Sequence, residues 1–260
     1  MVSNFTSLVR SHDLLFTWTM REFKIRYSQS VLGVGWAILQ PLALMVIFSV
    51  IFSVFMRVPT DGIPYPVFAY VALLPWTFFS NSLSFSIPSL VNQMGLVSKI
   101  YFPREILPLS TILVAFIDFL IASSIFVALM LFYHISIGPA ILLVPFVLLI
   151  QIVFTFGISL FGAAINVFYR DIRFVIPLAL QIMMYMSPII YPTSIIPQKF
   201  LPFYFLNPMA IIIDSYRQII LYNQLPNWPY LLVATVISIL ILLLAYRYFK
   251  KAEREFADLI

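Results

Sequence analysis

Apolar residues run along this chain in long blocks, and short polar segments separate the blocks. A helix that crosses a lipid bilayer needs about 20 mostly apolar residues. The blocks of sufficient length, in each of which we predict a transmembrane helix, are 31–56, 67–90, 106–133, 141–168, 174–191 and 230–248. The pattern therefore predicts an all-α integral membrane protein with six spans, in which residues 1–260 form a single transmembrane domain.

Composition supports this prediction. Hydrophobic residues make up 62% of the chain, charged residues make up 10%, and the mean hydropathy is +1.03. A soluble protein of this length could not bury so much apolar surface, so lipid must surround most of it. The chain has no cysteine, which excludes disulfides, thiolate metal sites and a cysteine nucleophile.

A different pattern precedes the first span. If residues 13–27 are helical, two apolar patches lie on roughly opposite sides, with charged residues between them. The patches consist of Phe16, Met20, Phe23 and Tyr27 on one side and of Leu14, Trp18 and Ile25 on the other. This arrangement is typical of a helix in the membrane interface, with lipid on one side and protein on the other. A signal-anchor with basic flanks remains the alternative, whereas no cleavable signal peptide is expected.

Lysine and arginine positions predict the orientation. With the amino terminus inside and six spans, the inner segments hold twelve of the 15 Lys and Arg residues. Such an excess marks the cytoplasmic side, so we expect both termini in the cytoplasm. The net charge of +5 follows from these flanks and does not indicate a nucleic-acid partner.

Two segments do not fit a simple series of spans. Residues 91–103 are too apolar for a solvated loop and too short to span, and Asn92 and Pro103 could begin and end a helix along the cytoplasmic surface. That helix would either dock a soluble partner or pack at the interface. Residues 192–229 are apolar and interrupted by prolines, which favours re-entrant short helices over a loop resting on the bilayer.

Motifs for catalysis are absent from the sequence. It contains no phosphate-binding G-x-x-x-x-G-K-[ST] loop and no H-E-x-x-H motif, and the inner segments carry no D-x-D pair. We therefore expect no enzymatic site. Asp118 is the ionisable residue deep inside a predicted span, and a structural hydrogen bond is favoured over a role in proton transport. Glu105 and Asp171 are expected to pair with their neighbours Arg104 and Arg170.

Aromatic residues form 17% of the chain. Some belong to the membrane interfaces, where aromatic side chains are enriched. Others could line a conduit for sugars, because an aromatic face stacks on the C–H face of a sugar ring without fixed hydrogen bonds. The candidates for this channel lining are Trp36, Tyr65, Phe68, Trp76, Phe79, Tyr185 and Tyr191. Lipid-facing positions for these side chains remain the alternative.

Four blocks of sequence together resemble the membrane subunits of ABC-2 type transporters that export polysaccharides (O-antigen, capsule or teichoic acid). The blocks are RYSQSVLGVGWAILQP (26–41), KIYFPREILPLS (99–110), NVFYRDIRFVIPLALQIMMYMSPIIYP (166–192) and LNPMAIIIDSYRQIIL (206–221). They follow the family's order across nearly the whole chain. Six spans with both termini inside also agree with this family.

The resemblance implies partners and a location. Such a permease is expected in the bacterial inner membrane as a homodimer with two copies of an ATP-binding cassette subunit. That subunit would bind ATP and Mg²⁺, so no cofactor is expected in this chain. The expected substrate is a polysaccharide on an undecaprenyl diphosphate anchor. Export of teichoic acid or of a small hydrophobic compound is the alternative, and a membrane transferase or a proton-driven carrier is disfavoured.

The resemblance also implies roles for particular segments. Residues 13–27 would be a cytoplasmic gate helix, 92–102 a coupling helix for the ATPase, and 192–229 periplasmic gate helices. The residues expected at the lipid-linked headgroup are Arg21, Lys24, Arg26, Ser30 and Gly33. The residues expected to dock the ATPase are Asn92, Lys99, Tyr101, Phe102 and Arg104. Cations suit the first set because they attract a diphosphate, and guanidinium groups can bind it through two hydrogen bonds.

Overall fold

A computed structural model describes residues 11–28, 30–60, 62–97 and 102–256. These residues are helical or irregular, and none of them forms a β-strand. The α-helices, numbered in chain order, are α1 (His12–Tyr27), α2 (Gly35–Phe48), α3 (Tyr65–Ser86), α4 (Ser89–Asn92), α5 (Met94–Val97), α6 (Ile106–Phe132), α7 (Val144–Phe168), α8 (Ile172–Met186), α9 (Leu201–Tyr204), α10 (Pro208–Ile220) and α11 (Trp228–Ala252). A π-helix continues α2, and 3₁₀ turns precede α7 and follow α8; their bounds are Ser49–Phe55, Pro139–Leu143, Thr193–Ile195 and Gln198–Phe200.

The all-helical class is confirmed for the described residues. Within them, four helices are long and apolar enough to cross a membrane: Gly35–Phe55, Ile106–Phe132, Pro139–Phe168 and Trp228–Ala252. The other two predicted spans correspond to α3, with 22 residues, and α8, with 15. At 1.5 Å per residue α8 is only about 22 Å long, less than a hydrocarbon core of about 30 Å. The count of six spans stays a prediction.

Two helix boundaries differ from those expected. The fifth span was predicted to reach residue 191, but α8 ends at Met186, and Ser187 has extended backbone with φ −106° and ψ 152°. Ser187 precedes Pro188, and a residue before proline is disfavoured in a helix. Asn92 ends α4 and does not cap a helix, and α5 follows after Gln93. The remainder of the predicted helix 92–102 lies largely outside the described residues.

Helix α3 occupies the centre of the protein. Nearly all its residues from Tyr65 to Phe79 are buried, and it packs against α2, α6, α7 and α10. A short polar network crosses this core. Gln151 of α7 donates to the carbonyl of Pro75 at 2.7 Å and accepts from the hydroxyl of Tyr216 at 3.2 Å. Polar groups buried away from water need such partners, so the network fixes how α3, α7 and α10 sit together.

Helices α7 and α11 form the most extensive pairing in the described part of the chain. Their close approach requires Gly157, because a β-carbon there would lie 3.0 Å from the backbone of Leu242. Small residues at such points are typical of helix packing in membranes, where it is van der Waals contact that holds helices together.

Helix α10 follows a proline-broken stretch of short turns. The Asn207 side chain caps it by accepting a hydrogen bond from the Met209 amide at 3.1 Å. It has 13 residues and is buried against α3, α7 and α11. A helix this short cannot span a bilayer. Its re-entrant position stays a prediction.

Candidate functional site

The described helices place polar residues at two opposite ends of the bundle. One end, called the α1 end here, carries α1, the start of α6 and the carboxyl end of α11. The other, called the α10 end, carries the start of α3, the chain that follows α8, and α10. Contacts between Arg104 and the Glu253 carbonyl define the first end, and contacts between Tyr65 and the Ile190 carbonyl define the second.

An ion pair at the α1 end joins α1 to α6. Arg26 donates to Oδ2 of Asp118 at 2.8 Å, and the Tyr27 hydroxyl donates to Oδ1 at 2.6 Å. The Arg26 and Asp118 side chains are only 14% and 9% exposed. The Arg26 guanidinium also lies over the ring of Phe85, 4.0 Å from its centroid. The expectation of a structural hydrogen bond for Asp118 agrees with this geometry, which also neutralises its charge.

The pairing separates Arg26 from the other two cations expected at a headgroup. Arg21 and Lys24 are exposed, and Arg21 lies 4.4 Å above the Trp18 ring. The turn after α1 is fixed locally, because the Ser30 hydroxyl accepts from the Gly33 amide at 3.1 Å. Gly33 has φ +53°, a conformation that residues with a β-carbon rarely adopt. Arg26 therefore holds α1 in place, while Arg21 and Lys24 remain accessible.

A cavity of about 380 Å³ opens between α1, the end of α3 and the start of α6. Arg26 and Asn92 both contribute to its wall. Glu22, Ser89, Gln93 and Thr111 supply further polar groups, and the remainder of the lining is apolar. The volume falls in the range of about 300–1,000 Å³ that is usual for small-molecule sites.

Two residues expected to dock an ATPase contact other parts of this chain. The Phe102 ring stacks on that of Trp18, with centroids 6.4 Å apart. Arg104 donates to the Glu253 carbonyl and lies over the ring of Phe256. Segment 102–104 is thereby tied to α1 and to the end of α11. Lys99 and Tyr101 lie outside the described residues.

The charge pairing expected for Glu105 is wrong. Its side chain is buried and pairs with Lys250 of α11 at 2.5 Å, and Lys250 also pairs with Glu253 at 2.8 Å. Arg104, its neighbour in the turn before α6, contacts the Glu253 carbonyl and the Phe256 ring instead. The Glu105–Lys250 pair is a second link between the start of α6 and α11.

Burial divides the aromatic residues that were expected to line a channel. Phe68 and Phe79 are fully buried at 0% exposed, and Tyr65 and Trp76 are buried as well. In this conformation those four side chains belong to the packed core, and their place along a channel stays a prediction. Trp36 and Tyr185 are exposed, and Tyr191 is half-buried. Composition cannot distinguish these groups, since it carries no information on which helix face is covered.

At the α10 end, Arg217 connects three separate parts of the chain. The side chain is 3% exposed and donates to the carbonyls of Ile189 at 2.7 Å, Tyr191 at 3.1 Å and Phe68 at 3.4 Å. Its guanidinium lies 3.7 Å from the centroid of the Phe68 ring. Irregular backbone leaves carbonyls without helical partners, and a guanidinium with five donors can satisfy several of them at once. Arg217 therefore stabilises the break after α8.

Asp214 lies one turn from Arg217 on α10. Among the described residues no ion pair joins them within 4.0 Å. Instead, Asp214 accepts from the Thr193 hydroxyl at 2.9 Å and from the Gln218 amide at 2.6 Å. Spacing along a helix shows that two residues share a face but does not determine which partners they choose.

Sequence reasoning missed the partners of Asp118 and Arg217. For Asp118 a usable signal existed, because a carboxylate within a span needs a partner and Arg26 is the basic residue next to the first span. For Arg217 the signal was weaker. The carbonyls that it binds belong to Phe68, Ile189 and Tyr191, and nothing in those residue types marks them as acceptors.

Comparison with known proteins gives the family of this chain. Residues 13–221 match the family described as ABC-2 type transporter. The chain is 30% identical over 249 residues to an O-antigen export system permease protein RfbA of Klebsiella pneumoniae, with 95% of each chain covered. It is 31% identical over 263 residues to the protein of that name from Myxococcus xanthus, with 100% of each covered. It is also 26% identical over 237 residues to a polysialic acid transport protein KpsM of Escherichia coli, with 88% of this chain and 90% of the other covered. The chain belongs to the ABC-2 type transporter family as one of its membrane-spanning permeases.

Proposed function

We propose that this protein is the membrane subunit of an ATP-driven exporter that moves a lipid-linked polysaccharide of the O-antigen type across the bacterial inner membrane. The observation that carries the proposal is the similarity, over nearly the whole of both chains, to permeases named for O-antigen export. The weaker similarity to a polysialic acid transport protein favours a polysaccharide over a small hydrophobic compound. Two copies of the chain would assemble with two copies of a separate ATPase.

The proposed topology has six spans and both termini in the cytoplasm. The α1 end then faces the cytoplasm and the α10 end faces the periplasm. Most lysines and arginines lie on the side of α1, as expected for a cytoplasmic surface. Helices α3 and α8 would supply the two additional spans. Helix α8 has only 15 residues and is shorter than the hydrocarbon core, so other parts of the protein would have to fill the rest of the membrane thickness beside it.

Helix α1 is the proposed site of substrate access. Its exposed cations Arg21 and Lys24 would attract the diphosphate of the lipid anchor, and the neighbouring cavity of about 380 Å³ would take the first polar group behind it. Arg26 would have a structural role instead of a substrate-binding one, because its charge already pairs with Asp118. The ion pair would hold α1 against α6 until substrate or ATPase movement displaces it.

Segment 92–102 is the proposed contact with the ATPase. Phe102 rests on Trp18 of α1, so a shift of this segment would be passed directly to α1. This contact gives a short mechanical route from nucleotide hydrolysis to the site of substrate access. Trp36, Tyr185 and Tyr191 remain as candidates for lining the sugar path, since their side chains reach a surface.

The proposal is tested in cells that lack the gene, with the wild-type chain restored on a plasmid. We expect polymer to disappear from the cell surface without the gene, to accumulate on its lipid anchor at the cytoplasmic face, and to return to the surface with the plasmid. Surface polymer is measured on intact cells and internal polymer after lysis. The matched control restores the permease together with an ATPase subunit that binds ATP but cannot hydrolyse it, which should leave polymer inside.

Normal surface polymer in the gene-deleted cells would contradict the proposal. So would the appearance of polymer at the surface with the inactive ATPase. Co-purification adds an independent check, because a tagged permease should bring down the ATPase, and a transferase or proton-driven carrier would not.

A further inference from the structure

A second cavity, of about 360 Å³, lies at the α10 end. It opens between the start of α3, the 3₁₀ turn after α8, and the carboxyl half of α10 with the chain that follows it. Its volume would hold about twelve water molecules at about 30 Å³ each, which is enough for one sugar ring. Phe68 and Pro192 lie in its wall, and the other lining side chains are polar: Thr193, Ser194, Asp214, Arg217, Gln218, Tyr222 and Gln224. So polar a wall is unusual in a protein that is 62% hydrophobic.

A carboxylate and an amide stand side by side in this wall. Asp214 accepts one hydrogen bond on each oxygen, from Thr193 Oγ1 and from Gln218 Nε2. A carboxylate offers about four lone-pair positions, so both oxygens keep capacity for a further donor. The Gln218 amide and the Thr193 hydroxyl hold the carboxylate in a fixed orientation. Neighbouring hydroxyls on a sugar ring present donors at a spacing that suits such a pair of oxygens.

The charge distribution favours a neutral ligand over a phosphate. Arg217 is the cation in the cavity wall, but its guanidinium donates to three backbone carbonyls and lies over the Phe68 ring. Both terminal nitrogens thus already bind protein groups, and the buried Nε, which has no partner among the described residues, is a single donor. The Asp214 carboxylate would repel a phosphate, whether from a lipid headgroup or from solution. A neutral molecule with many hydroxyls can bind the hydrogen-bond donors and acceptors of the cavity wall. It also suits a wall in which the charges of Asp214 and Arg217 oppose each other.

We infer that this cavity binds one neutral sugar residue of the exported polymer at the outer mouth of the transporter, through Asp214, Gln218 and Thr193. The inference rests on the proposed function, which places the α10 end on the periplasmic side. Binding should be weak, with half-saturation in the millimolar range, because a translocation site must release each residue as the chain advances. The site would hold the emerging polymer against backward slippage between cycles of ATP hydrolysis.

Cysteine protection tests this directly, since the chain has no cysteine of its own. Ser194→Cys places a thiol in the cavity wall, and Gln198→Cys places one on an exposed turn nearby that does not line the cavity. Each variant is purified with its ATPase in lipid nanodiscs and treated with a membrane-impermeant maleimide. The probe is a neutral oligosaccharide prepared by mild acid hydrolysis of the host's own surface polysaccharide. We expect it to slow labelling at position 194 and to leave position 198 unchanged.

Loss of the hydrogen-bonding groups should remove the protection. Gln218→Met keeps the size of the side chain without its amide, and Thr193→Val keeps the shape without the hydroxyl. Either change, in the Ser194→Cys background, should raise the half-protecting concentration about five- to tenfold, the effect expected for one lost hydrogen bond. If one of the two variants fails to fold, the other still shows whether these hydrogen-bonding groups are needed for protection.

Three results would overturn the inference. The first is no protection at position 194 up to the solubility limit of the oligosaccharide. The second is equal protection at positions 194 and 198. The third is stronger protection by inorganic phosphate or by vesicles of phosphatidylglycerol, which would make the cavity an anion site. In each case polymer export by the Ser194→Cys variant in cells shows whether the proposed function still holds, so the two failures can be told apart.

Discussion

The two ends of this protein handle buried charge in opposite ways. At the α1 end, Arg26 and Asp118 are 92 positions apart in sequence and bind each other directly at 2.8 Å. At the α10 end, Asp214 and Arg217 are three positions apart on one helix, yet each is satisfied by other groups. The difference follows from the backbone nearby. Asp118 lies within a regular helix, whereas the broken chain after α8 presents the carbonyls of Ile189 and Tyr191 to the guanidinium.

This comparison separates two kinds of stabilisation. A single ion pair between two helices can open and close as a unit, because it breaks without exposing backbone. A guanidinium that bridges three carbonyls cannot leave without creating several unsatisfied groups. We therefore expect the α1 end to be the adjustable end and the α10 end to be rigid around Arg217.

The largest effect is expected from Arg217→Met. The change removes the donors for the carbonyls of Phe68, Ile189 and Tyr191, and should lower the free energy of unfolding by roughly 3 kcal/mol or more. The change in stability is measured by thermal unfolding of the purified transporter in nanodiscs. Arg217→Lys is the matched control, because lysine keeps the positive charge but lacks the planar guanidinium that reaches several carbonyls. The lysine variant should fall between the wild type and the methionine variant. Wild-type stability of the methionine variant would contradict the bridging role.

The next effect concerns the Arg26–Asp118 pair. Arg26→Gln and Asp118→Asn should each destabilise the protein, and together should cost less than their sum, with a coupling of roughly 1–2 kcal/mol. A double-mutant cycle on the same thermal assay gives this number. Strict additivity of the two changes would show that the ion pair contributes nothing to the position of α1.

Tyr27→Phe should have a smaller effect than either change in the ion pair. It removes one hydrogen bond to the Asp118 carboxylate and leaves the ion pair in place, for a loss of about 1 kcal/mol. The same thermal assay measures this loss. A cysteine introduced at exposed position 16 on α1 reports the mobility of α1, because a more mobile α1 should cross-link faster to the same cysteine in a second copy of the chain. An effect as large as that of Asp118→Asn would mean that the hydroxyl, and not Arg26, holds the carboxylate.

Stability should change least when the exposed cations are replaced. Arg21→Gln with Lys24→Gln should alter the free energy of unfolding by no more than about 0.5 kcal/mol, because both side chains face solvent. Surface polymer should nevertheless fall, since the diphosphate loses its attraction to α1. Accessibility labelling of an introduced cysteine must confirm that orientation is unchanged. Full export by a correctly oriented variant would remove the headgroup role.

Much of the helical architecture follows from hydrophobicity alone. The blocks 106–133 and 230–248 correspond to α6 and α11, where long apolar runs end at charged or turn residues. The position where α8 ends required attention to a single dipeptide, Ser187–Pro188, and the apolar run beyond it concealed the break. A proline does not decide such a boundary alone, because Pro177 lies inside the same helix.

The candidate site was harder to predict because it depends on which helices meet. Arg26 was assigned to a substrate, and only the packing of α1 on α6 shows that it pairs with Asp118. Phe68 and Phe79 were assigned to a channel, and only the packing around α3 shows that both are buried in this conformation. A single sequence gives the residue types and the period of a helix. It does not give the neighbour of each helix face.

The bridge made by Arg217 also has a consequence for how the protein is synthesised. The carbonyls of Phe68, Ile189 and Tyr191 leave the ribosome well before residue 217, so they wait for their donor while the earlier helices are already in the membrane. Until α10 is made, the chain after α8 lacks its hydrogen bonds from Arg217, and α3 lacks one of its neighbours. The nascent permease therefore cannot complete its core in chain order. Its central helix becomes fully enclosed only after more than four-fifths of the chain has been made.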